Sequence, residues 1–335
     1  MWKLEFIEGG IIYVKQELNN LLLSDFIIKE ESKFMYLEKN PKIKIDIIKN
    51  LRTITKAYSV LESPKLTPKY IAKNKSILGN LVKEIIELDE FDTFFIQCAG
   101  DDTPEIKSIL RYISQEFKLE YDNNNPDLKI HIIKIKDLWE IGVQITTRPL
   151  STRSYRISHI SGALNPTIAS GMNLLADIQS AKSYLNPFSG SGTFLIEALI
   201  SNPNLQEIIG FDIDKSALTA SIQNIKEAGF IRKIKIKSLD ITDNLDLGKF
   251  DIITADLPFG MVISKHTNLE DLYQKFIELS KNHLAKNGKM IAITSEIDLF
   301  RKTIQKSKLK IIKEISLKQI TSVNSYLKTS IFLCK

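Results

Sequence analysis

From Phe26 to Leu37 and from Thr53 to Leu61 apolar and β-branched residues dominate, which predicts strands. Between Lys69 and Leu88 the apolar positions recur at spacings of three and four, which predicts a helix. Thr93 to Cys98 is strand-like again. Thr103 then reads as an N-cap with Pro104 at the first helical position, and Ile106, Ile109, Leu110, Ile113 and Phe117 fall on one face. The Asn123-Asn124-Asn125-Pro126 stretch breaks the chain, and Lys129 to Thr146 resumes as two strands meeting near Lys136-Asp137. This order predicts an α+β module of about 150 residues.

After Thr147 the texture changes. A basic, polar linker runs from Arg148 to Arg156, and strands then alternate with helices. Strands are predicted at Lys182 to Leu185, Glu207 to Phe211, Lys233 to Ser238, Phe250 to Ala255 and Lys289 to Thr294, with helices such as Lys215 to Ala228 and Asn268 to Leu284 between them. The alternation predicts a mostly parallel, doubly wound α/β sheet whose ligand lies at the carboxyl ends of the strands. Lys310 to Ile320 and Leu327 to Leu333 are β-like runs expected to close the sheet as an antiparallel hairpin.

Composition narrows the class. With 335 residues and 43% hydrophobic content the chain can bury a core for two domains, which excludes disorder as its dominant state. No apolar run approaches the ~18 residues of a membrane span, and the first residues lack the pattern of a secretory signal, so a cytoplasmic protein is expected. Cys98 and Cys334 stand alone and the histidines are scattered, so no metal site is expected. Net charge is +6, and its excess is uneven: residues 1 to 156 carry 24 basic and 23 acidic side chains, the remainder 22 and 17. That balance is compatible with a polyanionic partner.

The strand ends carry the candidate chemistry. Asn186-Pro187-Phe188-Ser189-Gly190-Ser191-Gly192-Thr193 lies between a strand and an apolar helix, where glycines permit a sharp turn and a close approach of backbone amides to a ligand. A plain strand-to-helix turn is the alternative, and the absence of a lysine after Gly192 argues against a phosphate loop. Asp212, roughly 26 residues after the start of that loop, is near the spacing expected for a carboxylate that binds ribose hydroxyls, and Ile213 follows it. Asp214 reads as the N-cap of the next helix. Asp240, before Ile241, is a candidate acceptor for a purine amine or a solvated turn acid. The fourth strand delivers Asp256-Leu257-Pro258-Phe259-Gly260: a carboxylate and nearby carbonyls form a row of acceptors suited to a planar amino group, Pro258 stiffens the turn, and Phe259 offers a ring for stacking. Four such groups at successive strand ends make coincidence a poor explanation.

These residues resemble the THUMP-associated class I S-adenosylmethionine-dependent RNA methyltransferases. The 186–193 loop is similar to that family's Asp-Pro-Phe-Cys-Gly-Ser-Gly-Thr, and Asp256 to Gly260 resembles its amino-methyltransferase motif. Pro149 to Arg156, His159 and Ala163 to Ala169 are similar to the segment before its catalytic domain. The resemblance implies a Rossmann-like domain with a seven-stranded, mostly parallel sheet over 148–335, preceded by a THUMP-like RNA-binding module at 66–147 and a small ferredoxin-like α+β region at 1–65. It implies S-adenosyl-L-methionine as cofactor, held by Asn186, Pro187, Phe188, Ser189, Gly190, Gly192, Thr193, Asp212, Ile213, Asp240 and Ile241. Asp256, Leu257, Pro258 and Phe259 are implied as the catalytic set.

The implied reaction is methylation of guanine N2 in tRNA or another structured RNA, with Arg148, Arg153 and Arg156 as phosphate contacts or, alternatively, as partners in domain-locking salt bridges. Two residues depart from the family pattern: Asn186 replaces an Asp, losing a charge that would attract the cofactor's ammonium, and Ser189 replaces a Cys. Two rival readings stand beside this one. One is a DNA or RNA adenine-N6 or cytosine-N4 methyltransferase, and the other a non-catalytic RNA-binding protein on the same scaffold.

Overall fold

The computed structural model describes residues 1–98, 103–243, 245–258, 268–322 and 325–335. Its internal contacts separate two units, Met1–Phe6 with Leu22–Ser151, and Ile7–Leu21 with Thr152–Lys335. Strand β1 (Trp2–Glu5) and helix α1 (Ile11–Asn20) open the chain, α1 belonging to the second unit. The first unit continues with β2 (Ile27–Glu30), β3 (Phe34–Leu37), α2 (Ile45–Lys49), β4 (Lys56–Ser63), α3 (Pro68–Lys73), α4 (Ser76–Ile86), β5 (Thr93–Cys98), α5 (Pro104–Phe117), β6 (Glu120–Tyr121), β7 (Leu128–Ile135) and β8 (Leu138–Gln144).

These strands form one sheet in the order β2-β3-β1-β4-β8-β7-β5-β6. Among the described pairings only those of β5, with β6 and with β7, are parallel. Residues 1–65 and 66–147 share this sheet, because β4 pairs with β8 from Tyr58 opposite Gln144 to Ser63 opposite Trp139. The Thr103 hydroxyl caps α5 through Ile106 N at 3.4 Å, and Lys136, at φ +55°, turns the β7–β8 hairpin. Two predicted elements are split. The run from Phe26 to Leu37 turns back on itself between β2 and β3, with Glu31 N donating to Phe34 O. The helix predicted over Lys69 to Leu88 breaks at Asn74, whose Nδ2 donates to Tyr70 O at 2.9 Å. An asparagine that satisfies a local carbonyl competes with helix continuation.

The second unit consists of α1, α6 (Pro166–Leu175), β9 (Ser183–Asn186), α7 (Thr193–Ser201), β10 (Glu207–Asp212), α8 (Lys215–Glu227), β11 (Lys235–Ser238), β12 (Phe250–Asp256), α9 (Leu269–His283), β13 (Leu284–Thr294), α10 (Ile297–Lys306), β14 (Ile311–Ser322) and β15 (Ser325–Cys334). Its described strands make one sheet of seven, in the order β11-β10-β9-β12-β13-β15-β14. The first five in that order are parallel and β15 runs against both of its neighbours. The chain winds outward from β9 in one direction through β10 and β11, then in the other through β12 and β13. A crevice opens where the winding reverses, at the carboxyl ends of the strands.

Packing explains how this edge is held still. All ten residues of α6 are buried, as are Thr193 to Leu199 of α7, so both helices are covered on nearly every side, their polar side chains Ser170, Asn173 and Glu197 included. Helix α1 completes that layer: Gln16 Nε2 donates to Leu174 O at 2.8 Å, and the Tyr13 ring lies so close to Gly171 that a Cβ there would meet it at 2.5 Å. Under the sheet's other half, Phe250, Phe276, Phe300, Phe332 and Met290 form a fully buried cluster. Each such side chain contributes about 1.5–3 kcal/mol of burial free energy. No helix among the described residues is long and apolar enough to cross a membrane.

Candidate active site

Strand β9 ends at Asn186, which has no exposed surface; its Nδ2 donates to Thr254 O at 2.8 Å, tying β9 to β12. The loop that follows is built by backbone geometry. Gly190 and Gly192 have φ of +50° and +81°, and a Cβ on Gly192 would come 2.7 Å from Ser221 Oγ. Ser189 N donates to Phe211 O at 3.0 Å, Gly190 N to an Asp212 carboxylate oxygen at 2.9 Å, and Asn224 Nδ2 to Ser191 O at 3.0 Å. The turn is therefore held from β10 and α8 as well as by its own residues, and it feeds directly into the N-terminus of α7.

Asp212 closes β10. Its second oxygen accepts Asp214 N at 3.0 Å, which leaves each oxygen one further lone pair for a ligand. Asp214 caps α8 through Ser216 N at 2.8 Å, the structural role its position predicts, and those hydrogen bonds lower its pKa. After β11, Asp240 accepts Thr242 N at 2.8 Å with one oxygen, and Ile241 is buried.

At the end of β12, the Asp256 carboxylate has no hydrogen-bond partner among the described residues, and desolvation by the surrounding protein pushes its pKa up to about 7. Leu257 is fully buried and its N–H donates to Ile293 O at 2.9 Å, which fixes the backbone beside that carboxylate. The next carbonyl is also held. Tyr273 Oη lies 2.8 Å from Pro258 O and 2.9 Å from Thr294 Oγ1, and Thr294 Oγ1 accepts Glu296 N at 3.0 Å. One arrangement of protons satisfies the relay: Thr294 donates to the tyrosine oxygen and Tyr273 donates to Pro258 O. Burial raises the Tyr273 phenol to about 12, so it remains a donor at neutral pH.

A cleft of about 820 Å³ joins these strand ends. It brings together Pro187, Phe188, Ser189, Gly190, Thr193, Asp212, Ile213, Asp240, Ile241, Asp256, Leu257 and Pro258. Phe259 lies outside the described residues. Asn186 and Gly192 stand beside the residues that line the cleft: the Asn186 Nδ2 is bonded to β12, while its Oδ1 is buried with no hydrogen-bond partner among the described residues. Sequence reasoning missed the cleft's front wall, Ile160 to Leu164, and the part played by Tyr273. An Asn-Pro pair follows that wall, and Asn165 caps α6 through Thr167 N at 2.9 Å, a local signal that sequence reasoning did not use.

The arginines divide. Arg148 is exposed. Arg153, read as a phosphate contact or a domain-locking salt-bridge partner, is 7% exposed and donates to Glu197 of its own unit at 3.0 Å; the same carboxylate accepts Tyr155 Oη at 2.7 Å and Ser170 Oγ at 2.5 Å. A buried carboxylate needs such compensation, and the guanidinium is committed to it. Arg156 is half-buried, with an Nε that has no partner among the described residues.

Electrostatics limit what the cleft accepts. Asp212, Asp214, Asp240 and Asp256 line it, and its described lining includes no Lys, Arg or His. Such a surface favours a neutral or cationic ligand over a polyphosphate. Among the described residues no group of three or more His, Cys, Asp or Glu is placed to hold a metal ion.

Known proteins agree with this architecture. Over 249 residues the chain is 25% identical to the tRNA (guanine(6)-N2)-methyltransferase of Methanocaldococcus jannaschii, a match covering 63% of this chain and 65% of that protein, and so less than two thirds of the relative's length. TrmN from Thermus thermophilus has the same fold, with a TM-score of 0.78 at 18% identity over 100% of this chain and 98% of that one. So does SMU.472, solved in complex with SAH, with a TM-score of 0.71 at 20% identity over 99% and 97% of the two chains. The fold is thus α/β and class I methyltransferase-like. Residues 153–321, half of the chain and all of the described strand-end acids, match the family model UPF0020, and the chain belongs to that family, the RMKL-like methyltransferase domain.

Proposed function

We propose that this chain is an S-adenosylmethionine-dependent methyltransferase acting on guanine N2 in tRNA. The observation that carries the reading is Asp256: a desolvated carboxylate at the end of β12 with no hydrogen-bond partner among the described residues, beside a backbone fixed by Ile293 and Tyr273, in a cleft whose described lining has no basic group. The relative's name as a tRNA guanine-N2 methyltransferase and the SAH complex of a protein with this fold support it.

The residues present fit the cofactor. In the 189–193 turn the amides of Ser189, Gly190 and Gly192 are bonded within the protein, which leaves those of Ser191 and Thr193, at the N-terminus of α7, to meet a carboxylate; Asp212 keeps lone pairs for ribose hydroxyls, and Asp240 has an oxygen free for an exocyclic amine between Leu239 and Ile241. When bound, S-adenosylmethionine supplies an electrophilic methyl group on a sulfonium. The protein's task is then to position the nucleophile. A guanine amine is a weak nucleophile because its lone pair is delocalised into the ring. Ionised Asp256 accepts one of its N–H groups and stabilises the positive charge that builds on nitrogen, and the Leu257 carbonyl accepts the other. With a pKa near 7, Asp256 is also matched to receive the proton that the methylated amine releases.

We further read residues 66–147 as a THUMP-like module that grips the RNA, 1–65 as the small α+β region before it, and exposed Arg148 as a phosphate contact. A tRNA substrate implies a cytoplasmic enzyme. The test is to incubate the protein with radiolabelled S-adenosylmethionine and unmodified tRNA or DNA, and to digest the product to nucleosides. N2-methylguanosine from tRNA, lost in Asp256→Ala while cofactor binding persists, is the expected result. Label in DNA, adenosine or cytidine would replace this reading with the adenine-N6 or cytosine-N4 one. Absence of cofactor binding at millimolar concentration would leave a non-catalytic RNA-binding protein.

A further inference from the structure

The described lining of the cleft is acidic and offers no cation to the phosphates that flank a target nucleotide, so an RNA substrate gains from cations elsewhere on the same sheet edge. Strand register identifies a place for them. Asp256 is level with Ile293 on β13, Thr294 at the end of β13 is level with Ser330 on β15, and Ser330 is level with Ser316 on β14. Beyond that level β14 and β15 pair with no other strand of the sheet, from Leu317 to Ser322 and from Ser325 to Thr329; only the Glu8 backbone bridges to β14 there, accepting Lys318 N at 2.9 Å among the described residues. At ~3.4 Å per residue the overhang rises about 17 Å past the edge that carries Asp256, and β15 stands two strand spacings, about 10 Å, from β12.

One face of this overhang is unusual. Lys318 lies directly opposite Lys328, and Ile320 directly opposite Tyr326. Since the two pairs are two residues apart on each strand, all four side chains share a face. Like charges directly opposite each other destabilise a hairpin, and large apolar groups gain nothing from water. Yet Ile320 is 73% exposed and Tyr326 58%. Lys318 Nζ stands 4.5 Å from the Tyr326 ring centroid and 3.9 Å from a Glu8 carboxylate oxygen, whereas Lys328 has no carboxylate within 4.0 Å among the described residues. From Ser307 to Lys335 the sequence carries six lysines against one acid, Glu314, and that acid is paired with Arg301 at 2.7 Å.

We infer that this overhang is an RNA docking surface, with Lys318 and Lys328 straddling a backbone phosphate and Tyr326, backed by Ile320, carrying a stacked base. The anion relieves the lysine repulsion and the base covers the exposed ring, so both unfavourable features of the free hairpin are removed by one partner. The inference rests on the RNA-methylating reading and adds where the substrate's strand is held outside the cleft.

The test measures binding of unmodified tRNA transcripts to the full chain at several salt concentrations, together with methylation kinetics, for the wild type, Lys318→Ala/Lys328→Ala and Tyr326→Ala. Lys328→Arg and Tyr326→Phe are the conservative controls, and cofactor binding confirms folding. Expected is an RNA affinity lowered about tenfold in each disruptive variant, with the salt slope reduced by about one to two in the lysine double variant. KM for RNA rises, while kcat and cofactor affinity do not change, and the conservative variants keep wild-type affinity. Unchanged affinity and slope in both disruptive variants, with a wild type that does methylate RNA, overturns the hairpin alone. Altered self-association without altered RNA affinity does the same and assigns the face to a second copy. A wild type that binds RNA but methylates none of it sinks the functional reading while these binding comparisons still decide the hairpin. A wild type that binds cofactor but no RNA overturns both.

Discussion

Replacing Asp256 by Asn tests the electrostatics of the cleft apart from any reaction. The carboxyl is raised from 3.8 to about 7 by desolvation. At about 1.36 kcal/mol per pH unit, a displacement of roughly three units caps the cost of ionising it at about 4 kcal/mol. The residue is partly open to the cleft, so screening by water brings the expected figure to about 1–3 kcal/mol. Because the folded-state pKa lies above the unfolded one, the penalty is absent below pH 4, grows between pH 4 and 7 as the unfolded chain gives up its proton first, and is constant above. Asp256→Asn is therefore expected to match the wild type near pH 4 and to exceed it in stability at pH 8. For a unit of this size each kcal/mol is about 2–4 °C of Tm, so the gain is about 2–12 °C. Scanning calorimetry of both proteins from pH 4 to 8, with hydrogen exchange on β12 to identify the second unit's transition, measures it. A Tm difference that is the same at pH 5 and pH 8 would refute the reasoning, since the carboxyl would then be titrating as it does in water.

The same group predicts activity. Methyl transfer to RNA should rise with pH through about 7 in kcat/KM and level off above, and a flat profile from pH 5.5 to 8.5 would remove ionised Asp256 from the rate-determining state. Tyr273→Phe removes the donor to Pro258 O; a stability loss of about 1–3 kcal/mol is expected, with kcat lowered and cofactor affinity retained, read by denaturation and by separate kinetic and binding measurements. Glu197→Ala strands the buried Arg153 guanidinium and should cost about 3–5 kcal/mol in urea denaturation, whereas Arg153→Ala and Glu197→Ala together should cost less than the sum of the single changes.

The sequence alone settled features governed by chemistry within a few residues. Only glycine adopts φ near +81° next to a packed Ser221, so the turn at Gly192 is written in its composition. Asp214 and Thr103 cap the helices they precede because their side chains reach the first free amides. Apolar runs between Lys182 and Thr294 specify buried parallel strands, and a parallel sheet presents its strand-end acids on one edge, which is why Asp212, Asp240 and Asp256 share a cleft.

What the tertiary structure decided depends on partners far away along the chain. Arg153 reads as a linker cation open to either a phosphate or a salt bridge until Glu197, 44 residues on, takes it into the interior. Asn186 reads as a ligand group, and only the fold shows that Thr254, 68 residues on, takes its Nδ2 while Oδ1 stays without a partner among the described residues. Ile7–Leu21 carries no local mark of belonging with Thr152–Lys335; the contact of Tyr13 with Gly171 and the hydrogen bond from Gln16 to Leu174, 158 residues apart, place it there. Tyr273 looks like any core aromatic, and Asp256 like any acid, until the fold sets a carbonyl against the one and strips water from the other. Backbone conformation and capping are short-range and can be read residue by residue. Burial, pairing and the resulting pKa shifts are properties of a neighbourhood that exists only after the chain has closed on itself.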